Sequence, residues 1–275
     1  MSGIVWLASY PKSGNTWLRA FLANIFSGSD QPFDINRLSD FTFSDMRANY
    51  FEEVAQRPIA ELSEKELNHL RPQVHRHLAN RTPHTILVKT HHSIGMIHDI
   101  PTITRDVTAG AVYLVRNPLD VVISYANHMA KDIDATIRVM NDRASISLTT
   151  GRIVVQYVSS WSAHVKSWTT APGLTHHVMR YEDMHDSTTE TFRELIEFLT
   201  IETTEEQLQR AIRFASFGEL QKQEQTKGFR ERSQVGEAFF RQGQHGAWRH
   251  VLSAAQVDAI VGAHGEMMAK YGYLP

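Results

Sequence analysis

Ile4-Val5-Trp6-Leu7-Ala8-Ser9-Tyr10-Pro11-Lys12-Ser13-Gly14-Asn15-Thr16-Trp17 is the stretch on which the fold turns. Ile4–Ser9 is a short, mostly apolar run, the pattern of a buried strand. Tyr10–Gly14 carries the Pro and Gly punctuation of a turn. From Thr16 to Phe26 the apolar residues Trp17, Leu18, Phe21, Leu22 and Ile25 recur at helical spacing. Strand, tight loop and helix form a layout in which backbone N–H groups at a helix start hold a phosphate. Lys12, Ser13, Gly14 and Thr16 supply a cation, two hydroxyl donors and a glycine that lets the backbone approach an anion. Their order excludes the ordinary triphosphate loop, in which the lysine follows the second glycine; here Lys12 precedes Gly14. On spacing alone, a strand–helix turn with a chance lysine explains the segment equally well.

Working outward, Thr85–Thr90 reads as the next strand. Ala111–Val115 reads as another, followed by Arg116-Asn117-Pro118 and a helix from about Pro118 to Met129. Pro118 suits the first helical turn, where its missing N–H costs nothing. His177–Tyr181 reads as a fourth strand. Ser63-Glu64-Lys65-Glu66, Ser187-Thr188-Thr189-Glu190 and Thr204-Glu205-Glu206-Gln207 have the pattern of capping boxes, and Ser253-Ala254-Ala255-Gln256 opens the last helix. Pro72 is expected near the end of the helix that starts at Ser63. Val154, Val158, Trp161, Val165 and Trp168 predict a long amphipathic helix from roughly Ile153 to Trp168. Lys131–Ser147 is polar and mixed and reads as a surface excursion or lid, and Thr226–Gly246 reads as a loop that orders on ligand binding. Alternating strands and helices predict an α/β fold with a mainly parallel central sheet flanked by helices. Ligands in such sheets gather beyond the carboxyl ends of the strands. The Tyr10 loop, Thr90-His91, Arg116 and Tyr181 all follow strand ends, which points to one site.

The bulk properties narrow the field. A length of 275 residues suits one α/β domain spanning 1–275, and 42% hydrophobic residues suffice for its core. A formal net charge of −2 gives no global pull towards nucleic acid or anionic membrane, so any anion site is local. The absence of cysteine removes disulfides, thiol catalysis and cysteine-based metal sites. The start, Met1-Ser2-Gly3-Ile4-Val5-Trp6, lacks a basic n-region ahead of a long apolar run, and no later segment reaches the length of a spanning helix. The expectation is a cytoplasmic protein without membrane insertion. His91-His92 and His176-His177 are adjacent pairs whose side chains point to opposite sides in extended chain, so neither pair reads as a chelate and no metal is expected.

Tyr10-Pro11-Lys12-Ser13-Gly14-Asn15-Thr16-Trp17 closely resembles the 5′-phosphosulfate loop of sulfotransferases that use 3′-phosphoadenosine-5′-phosphosulfate (PAPS), a family with a P-loop-like fold of the nucleoside-triphosphate-hydrolase type. Asn15 replaces the Thr common in animal cytosolic members and looks like bacterial members, including those that sulfate glycopeptide antibiotics. Tyr113–Tyr125 resembles the family's 3′-phosphate segment, which implies that Arg116 and Ser124 hold that phosphate. Tyr181 matches the tyrosine near the adenine, while Asp183 reads as a local cap. Ala215-Ser216-Phe217 resembles the adenine-side Thr-Ser-Phe segment with Ala215 departing from it, so Ser216 and Phe217 are carried over. Phe240-Arg241-Gln242-Gly243, followed by Gly246-Ala247-Trp248, resembles the late Arg-Lys-Gly loop; Gln242 replaces the Lys, so one cation is missing.

Lys89-Thr90-His91 matches the segment that carries the family's base. The resemblance implies His91 as general base, Lys12 at the bridging and leaving oxygens, and Lys89 as supporting cation. Histidine suits proton abstraction because its ordinary pKa of about 6.5 leaves the neutral ring available at physiological pH. The implied reaction moves a sulfuryl group from PAPS to a hydroxyl of a small-molecule or natural-product acceptor. Gln31–His84, Gly95–Arg105 and Lys131–Gly151 are expected to surround that acceptor, and Phe41, Phe43, Tyr50 and Phe51 read equally as a stacking platform or a satellite core. Trp248–Ala254 keeps a basic residue and a hydroxyl of the family's dimer segment but loses its Thr-Val pair, so an oligomer through that segment is in doubt. Two rival functions differ in their needs. A nucleotide kinase requires a Mg²⁺-holding partner and a true P-loop lysine, neither of which is found. A non-catalytic nucleotide-binding module has no use for His91.

Overall fold

The computed structural model describes residues 3–232, 238–240 and 243–275. Arg241 and Gln242 therefore lie outside the described residues. The strands are β1 (Ile4–Ser9), β2 (Thr42–Ser44), β3 (Ile86–Thr90), β4 (Met96–Ile97), β5 (Ile100–Pro101), β6 (Thr108–Val115), β7 (Ile146–Ser147), β8 (Gln156–Tyr157) and β9 (His176–Arg180). Among the described residues the main sheet runs in the order β2-β3-β1-β6-β9. β1 pairs with β3 in parallel from Ile4↔Ile86 to Ala8↔Thr90, and β2 pairs with β3 in parallel from Thr42↔Leu87 to Ser44↔Lys89. Helices flank this central sheet, so its middle strands are covered on both faces, and Ile4, Trp6, Leu7 and Ala8 are buried without alternation. The α/β expectation holds.

The helices are α1 (Asn15–Ser27), α2 (Ala48–Ala55), α3 (Glu64–Ala79), α4 (Pro118–Met129), α5 (Ile133–Asn141), α6 (Trp161–Thr169), α7 (Tyr181–Asp186), α8 (Thr188–Phe198), α9 (Glu205–Phe214), α10 (Phe217–Lys227), α11 (Trp248–Val251) and α12 (Ala254–Lys270). By contacts the described chain falls into two compact units. One holds the residues up to Tyr10, Thr42–Tyr113 and Val139–Val178; the other holds Pro11–Phe41, Leu114–Arg138 and the described residues from Met179 onward.

Local signals in the sequence find most of these elements. Capping boxes form at Ser63, Thr204 and Ser253, each with reciprocal side-chain and backbone bonds. The Ser187 box does not form: α8 starts there, but without a side-chain cap, because α7 already runs into it and Ser187 donates its N–H to the Asp183 carbonyl. Pro72 lies inside α3 rather than near its end. A proline there removes one internal bond, and the buried face of Leu67, Arg71, Val74, His75 and Leu78 carries the helix past it.

Three further expectations are corrected. Residues 153–160 are not helical, with strand only at Gln156–Tyr157 and Ser159 left-handed at φ 64°, and α6 starts only at Trp161, capped by Ser160, whose hydroxyl accepts from Ala163 N–H. Val154 and Val158 mimic helical spacing, but the backbone there pairs with Met46, with Ser145 and in the β7–β8 ladder. Residues 131–147 are not a featureless excursion, since α5 buries Thr136, Ile137 and Met140. α10 extends to Lys227 inside the segment read as loop. Of the four aromatics, Tyr50 and Phe51 are core residues and Phe43 packs on Tyr50, with ring centroids 6.2 Å apart. The segment after Gly246 forms α11, on which Val251 is half exposed.

Ser63→Ala removes the acceptor for the Glu66 N–H and is expected to cost about 1 kcal/mol. Urea unfolding checks this; an unchanged midpoint contradicts it.

Candidate active site

In the second unit, the loop after β1 owes its shape to two left-handed residues. Lys12 has φ 69° and Gly14 has φ 101°. A non-glycine residue in that region costs free energy and marks a place where backbone is held for a purpose. Gly14 is required twice over, since a Cβ there would lie 2.6 Å from the Tyr181 ring. α1 begins at Asn15 without a side-chain cap and without an acidic residue in its first turn. An anion placed at that helix start would meet backbone N–H groups and the positive end of the dipole. Ser13, Asn15 and Thr16 are buried, Lys12 and Trp17 half-buried. The Lys12 ammonium lies over the Phe239 ring, 3.9 Å from its centroid.

Arg116 follows β6, and its guanidinium gathers three separate segments. It donates to the Lys12 carbonyl at 3.1 Å and to the Gln244 carbonyl at 3.2 Å. Its plane sits 4.0 Å from the Tyr181 ring centroid. Arg116 Nε is buried without a protein partner, as is Ser13 Oγ. Orphaned buried donors are uncommon and point to a ligand that accepts from them. Trp17 meets Tyr181 edge-on at 5.9 Å, and Tyr181 is the first residue of α7 rather than the end of a strand. Gly243, at φ 59°, presses against Phe217, where a Cβ would come 2.2 Å from the ring. Ser216 is exposed at the start of α10. Ser124 is half-buried on α4.

Several supporting residues escape the sequence reading because their partners are remote in the chain. Buried Glu182 accepts from the Asn117 N–H at 3.0 Å and from the Tyr273 hydroxyl at 2.6 Å. It pins the Arg116-Asn117 corner to the C-terminus, whereas Asp183 pairs only locally with Arg180 at 3.0 Å. Asp120, in the first turn of α4, takes the Gly246 and Trp248 N–H groups on its two oxygens. Glu224 does the same for Phe239 and Phe240. These bidentate carboxylates fix both flanks of the late loop. Burial, with the charges of His245 and Arg116, pushes the His185 ring beside Tyr181 down to about 4.

In the first unit, Lys89-Thr90-His91 ends β3. His91 Nδ1 lies 2.7 Å from the Ser9 carbonyl, the last residue of β1. A carbonyl only accepts, so Nδ1 carries a proton, and in the neutral form of such a ring the lone pair is at Nε2. His91 is half-buried. Its neighbour His92 is fully buried, with Nε2 2.6 Å from an Arg71 nitrogen and Nδ1 accepting the Tyr157 N–H at 3.1 Å. Burial and the Arg71 charge hold His92 well below its ordinary value. Thr90 turns inward and donates to buried Asp45 at 2.7 Å. Burial pushes Asp45 up to about 6 despite that bond and the charges of Arg71 and Lys89. Lys89 itself is half-buried.

Among the described residues, no group of three or more His, Cys, Asp or Glu is placed to hold a metal ion. None of their helices is long and apolar enough to cross a membrane.

Residues 3–272 match the sulfotransferase domain family. Sulfotransferase 1A1 of Bos taurus is 26% identical over 275 residues, covering 96% of this chain and 82% of the relative. Cytosolic sulfotransferase 13 of Arabidopsis thaliana is 24% identical, with 92% and 73% covered. Among solved structures, mouse sulfotransferase SULT7A1 complexed with PAP (3′,5′-phosphoadenosine) has a TM-score of 0.63 at 17% identity, covering 98% of this chain and 85% of that one. Retinol dehydratase in complex with androsterone and inactive cofactor PAP has a TM-score of 0.65 at 21% identity, covering 96% and 80%.

The buried histidines set a pH dependence. His75, His92 and His164 are all held below 6.5 when folded, chiefly by burial. The unfolded chain takes up their protons as pH falls through 6.5 and the folded chain does not, so stability present above 6.5 is lost on acidification. Each contributes up to about 1.4 kcal/mol per pH unit. Asp45, raised when folded, works in the opposite direction between 6 and its ordinary value, but it is one group against three. Urea unfolding at pH 7.5 and 5.5 is expected to give clearly lower stability at 5.5; equal stabilities contradict the account.

Proposed function

Because the chain belongs to the sulfotransferase family, we propose that residues 1–275 form a single domain that transfers a sulfuryl group from PAPS to a hydroxyl of a small-molecule or natural-product acceptor. The observation that carries this is the anion cradle of Lys12, Ser13, Gly14 and Arg116, with its orphaned Ser13 Oγ and Arg116 Nε. PAPS, when bound, supplies the sulfuryl group and a 3′,5′-phosphoadenosine leaving group. The chain's residues divide the rest of the work. Backbone N–H groups of Gly14, Asn15, Thr16 and Trp17, with the Ser13 hydroxyl, hold the 5′-phosphate at the helix start. Lys12 neutralises charge on the bridging and leaving oxygens, and Lys89 supports it. Leaving Phe239 for that role, the Lys12 ammonium exchanges a ring face for an anion. Arg116 and Ser124 take the 3′-phosphate, together with Arg241, Gln242 and the Gly243 backbone. Trp17, Tyr181, Ser216 and Phe217 flank the adenine.

His91 accepts the hydroxyl proton on Nε2, the ring nitrogen opposite the Nδ1–H bond to Ser9. The acceptor oxygen then bonds to sulfur as the sulfur–oxygen bond to the 5′-phosphate breaks, and the proton stays on His91 until solvent removes it. His92, buried against Arg71, is poorly suited to this duty. Two structures of retinol dehydratase hold androsterone or retinol, small apolar alcohols, and a small-molecule acceptor for this chain accords with them. The Asn15 form of the loop supports a bacterial-type enzyme, and the composition a cytoplasmic one working without a metal.

His91→Ala is expected to keep its affinity for 3′,5′-phosphoadenosine within about twofold while losing on the order of 10²–10⁴-fold in transfer rate. Unchanged turnover rejects His91 as base. Arg116→Ala is expected to weaken 3′,5′-phosphoadenosine binding by at least about tenfold, since it removes a charge-assisted phosphate contact. In a thermal-shift titration, stabilisation by ATP with Mg²⁺ and none by 3′,5′-phosphoadenosine sinks the proposal.

A further inference from the structure

β3 ends at Thr90, so the backbone groups that follow have lost the sheet ladder and need other partners. Thr90, Thr102 and Tyr157 supply some of them, and one helix supplies three more. On α6, His164 and Trp168 are four residues apart and share a face, and both are fully buried. Trp168 Nε1 donates to the His92 carbonyl at 2.8 Å. The Ser167 hydroxyl accepts the Ile94 N–H at 3.0 Å. His164 Nε2 lies 3.2 Å from the His91 carbonyl.

That last contact fixes the His164 ring. Because a carbonyl only accepts, Nε2 carries the proton. Burial holds the ring neutral, with its pKa down to about 3, so Nδ1 is the acceptor. Nδ1 lies 2.8 Å from the hydroxyl of Tyr113, a buried residue of β6, and the tyrosine must donate to it. A directional chain results: Tyr113 hydroxyl to His164 Nδ1, His164 Nε2–H to the His91 carbonyl, and His91 Nδ1–H to the Ser9 carbonyl. His91 and His164 thus hold opposite ring tautomers, each set by the carbonyl it faces.

We propose that His164 is a positioning residue for His91: with Tyr113 fixing its tautomer, it holds the His91 main chain where the imidazole reaches Ser9, which keeps the ring proton on Nδ1 and the lone pair on Nε2. The proposal rests on His91 being the base. Releasing the carbonyl lets the segment drift and weakens the 2.7 Å bond to Ser9, so the ring samples the form with the proton on Nε2, which cannot act as a base. The hydrogen-bond chain lies wholly within the first unit, apart from the anion cradle in the second.

The test is ¹⁵N NMR of the histidine rings in the full-length protein, with His91 assigned by its loss in His91→Ala. Wild type is expected to show His91 protonated on Nδ1 and His164 on Nε2. His164→Met, which removes the donor at similar volume, is expected to give His91 as a mixture of both ring forms while 3′,5′-phosphoadenosine affinity stays within about twofold. Transfer of label from PAPS is expected to fall roughly 10- to 100-fold, the scale of a misplaced catalytic group. His164→Gln, whose amide N–H reaches about as far as Nε2, restores both readings. If His164→Met fails to fold, Tyr113→Phe, which deletes one oxygen, is read the same way. His91 remaining in the Nδ1–H form in His164→Met, or in Tyr113→Phe if that variant decides, overturns the proposal, as does a His164→Gln as impaired as the Met variant. The ring tautomers are measured without turnover, so wild type that transfers no sulfuryl group defeats the proposed function and leaves the hydrogen-bond result standing.

Discussion

The guanidinium of Arg116 is the joint on which the anion cradle depends. It holds the Lys12 carbonyl, the Gln244 carbonyl and the face of Tyr181 at once, joining segments more than 100 residues apart. The Lys12 carbonyl is turned towards it by a left-handed backbone, and that turn in turn sets the start of α1. Removing the arginine would leave the Lys12 and Gln244 carbonyls and a strained loop without their tie, a larger change than the loss of one surface charge. Arg116 still keeps one buried N–H unpaired, a design that is costly in an empty protein and sensible in one that binds an anion.

Carboxylates do the complementary work. Glu182, Asp120 and Glu224 each take two donors, and five of those six are backbone N–H groups, at Asn117, Gly246, Trp248, Phe239 and Phe240, the sixth being the Tyr273 hydroxyl. Backbone beyond a strand or helix end has no ladder to satisfy it, and a fixed carboxylate stands in. The same need is met around His91 by neutral groups, His164, Trp168 and Ser167. Neutral partners suit that place, since a fixed negative charge beside His91 would change its basicity.

How much of this is legible in the sequence depends on the range of the interactions. The loop at Tyr10–Trp17, the strand before it and the helix after it are encoded within 25 residues, and so are the caps at Ser63, Thr204 and Ser253. Arg116 stands out because it follows an apolar strand and precedes Asn-Pro. Glu182, Asp120, Glu224 and His164 look like ordinary helix residues, because their meaning lies in partners 15 to 128 residues away. The errors have the same origin. Val154 and Val158 have helical spacing, yet Met46 and Ser145 claim that backbone; Pro72 looks like a stop, yet buried neighbours on α3 outweigh one lost hydrogen bond. The resemblance of the motifs supplied the donor, which spacing alone did not.

The central claim is that the cradle and the His91 segment serve sulfuryl transfer, and incubation with ³⁵S-labelled PAPS across panels of phenols, sugars, peptides and lipid alcohols tests it most directly. The account predicts label on at least one hydroxyl class, with one 3′,5′-phosphoadenosine released per label transferred. Label that stays on the donor with every class, while 3′,5′-phosphoadenosine binds tightly, would contradict it and leave a nucleotide-binding module in its place.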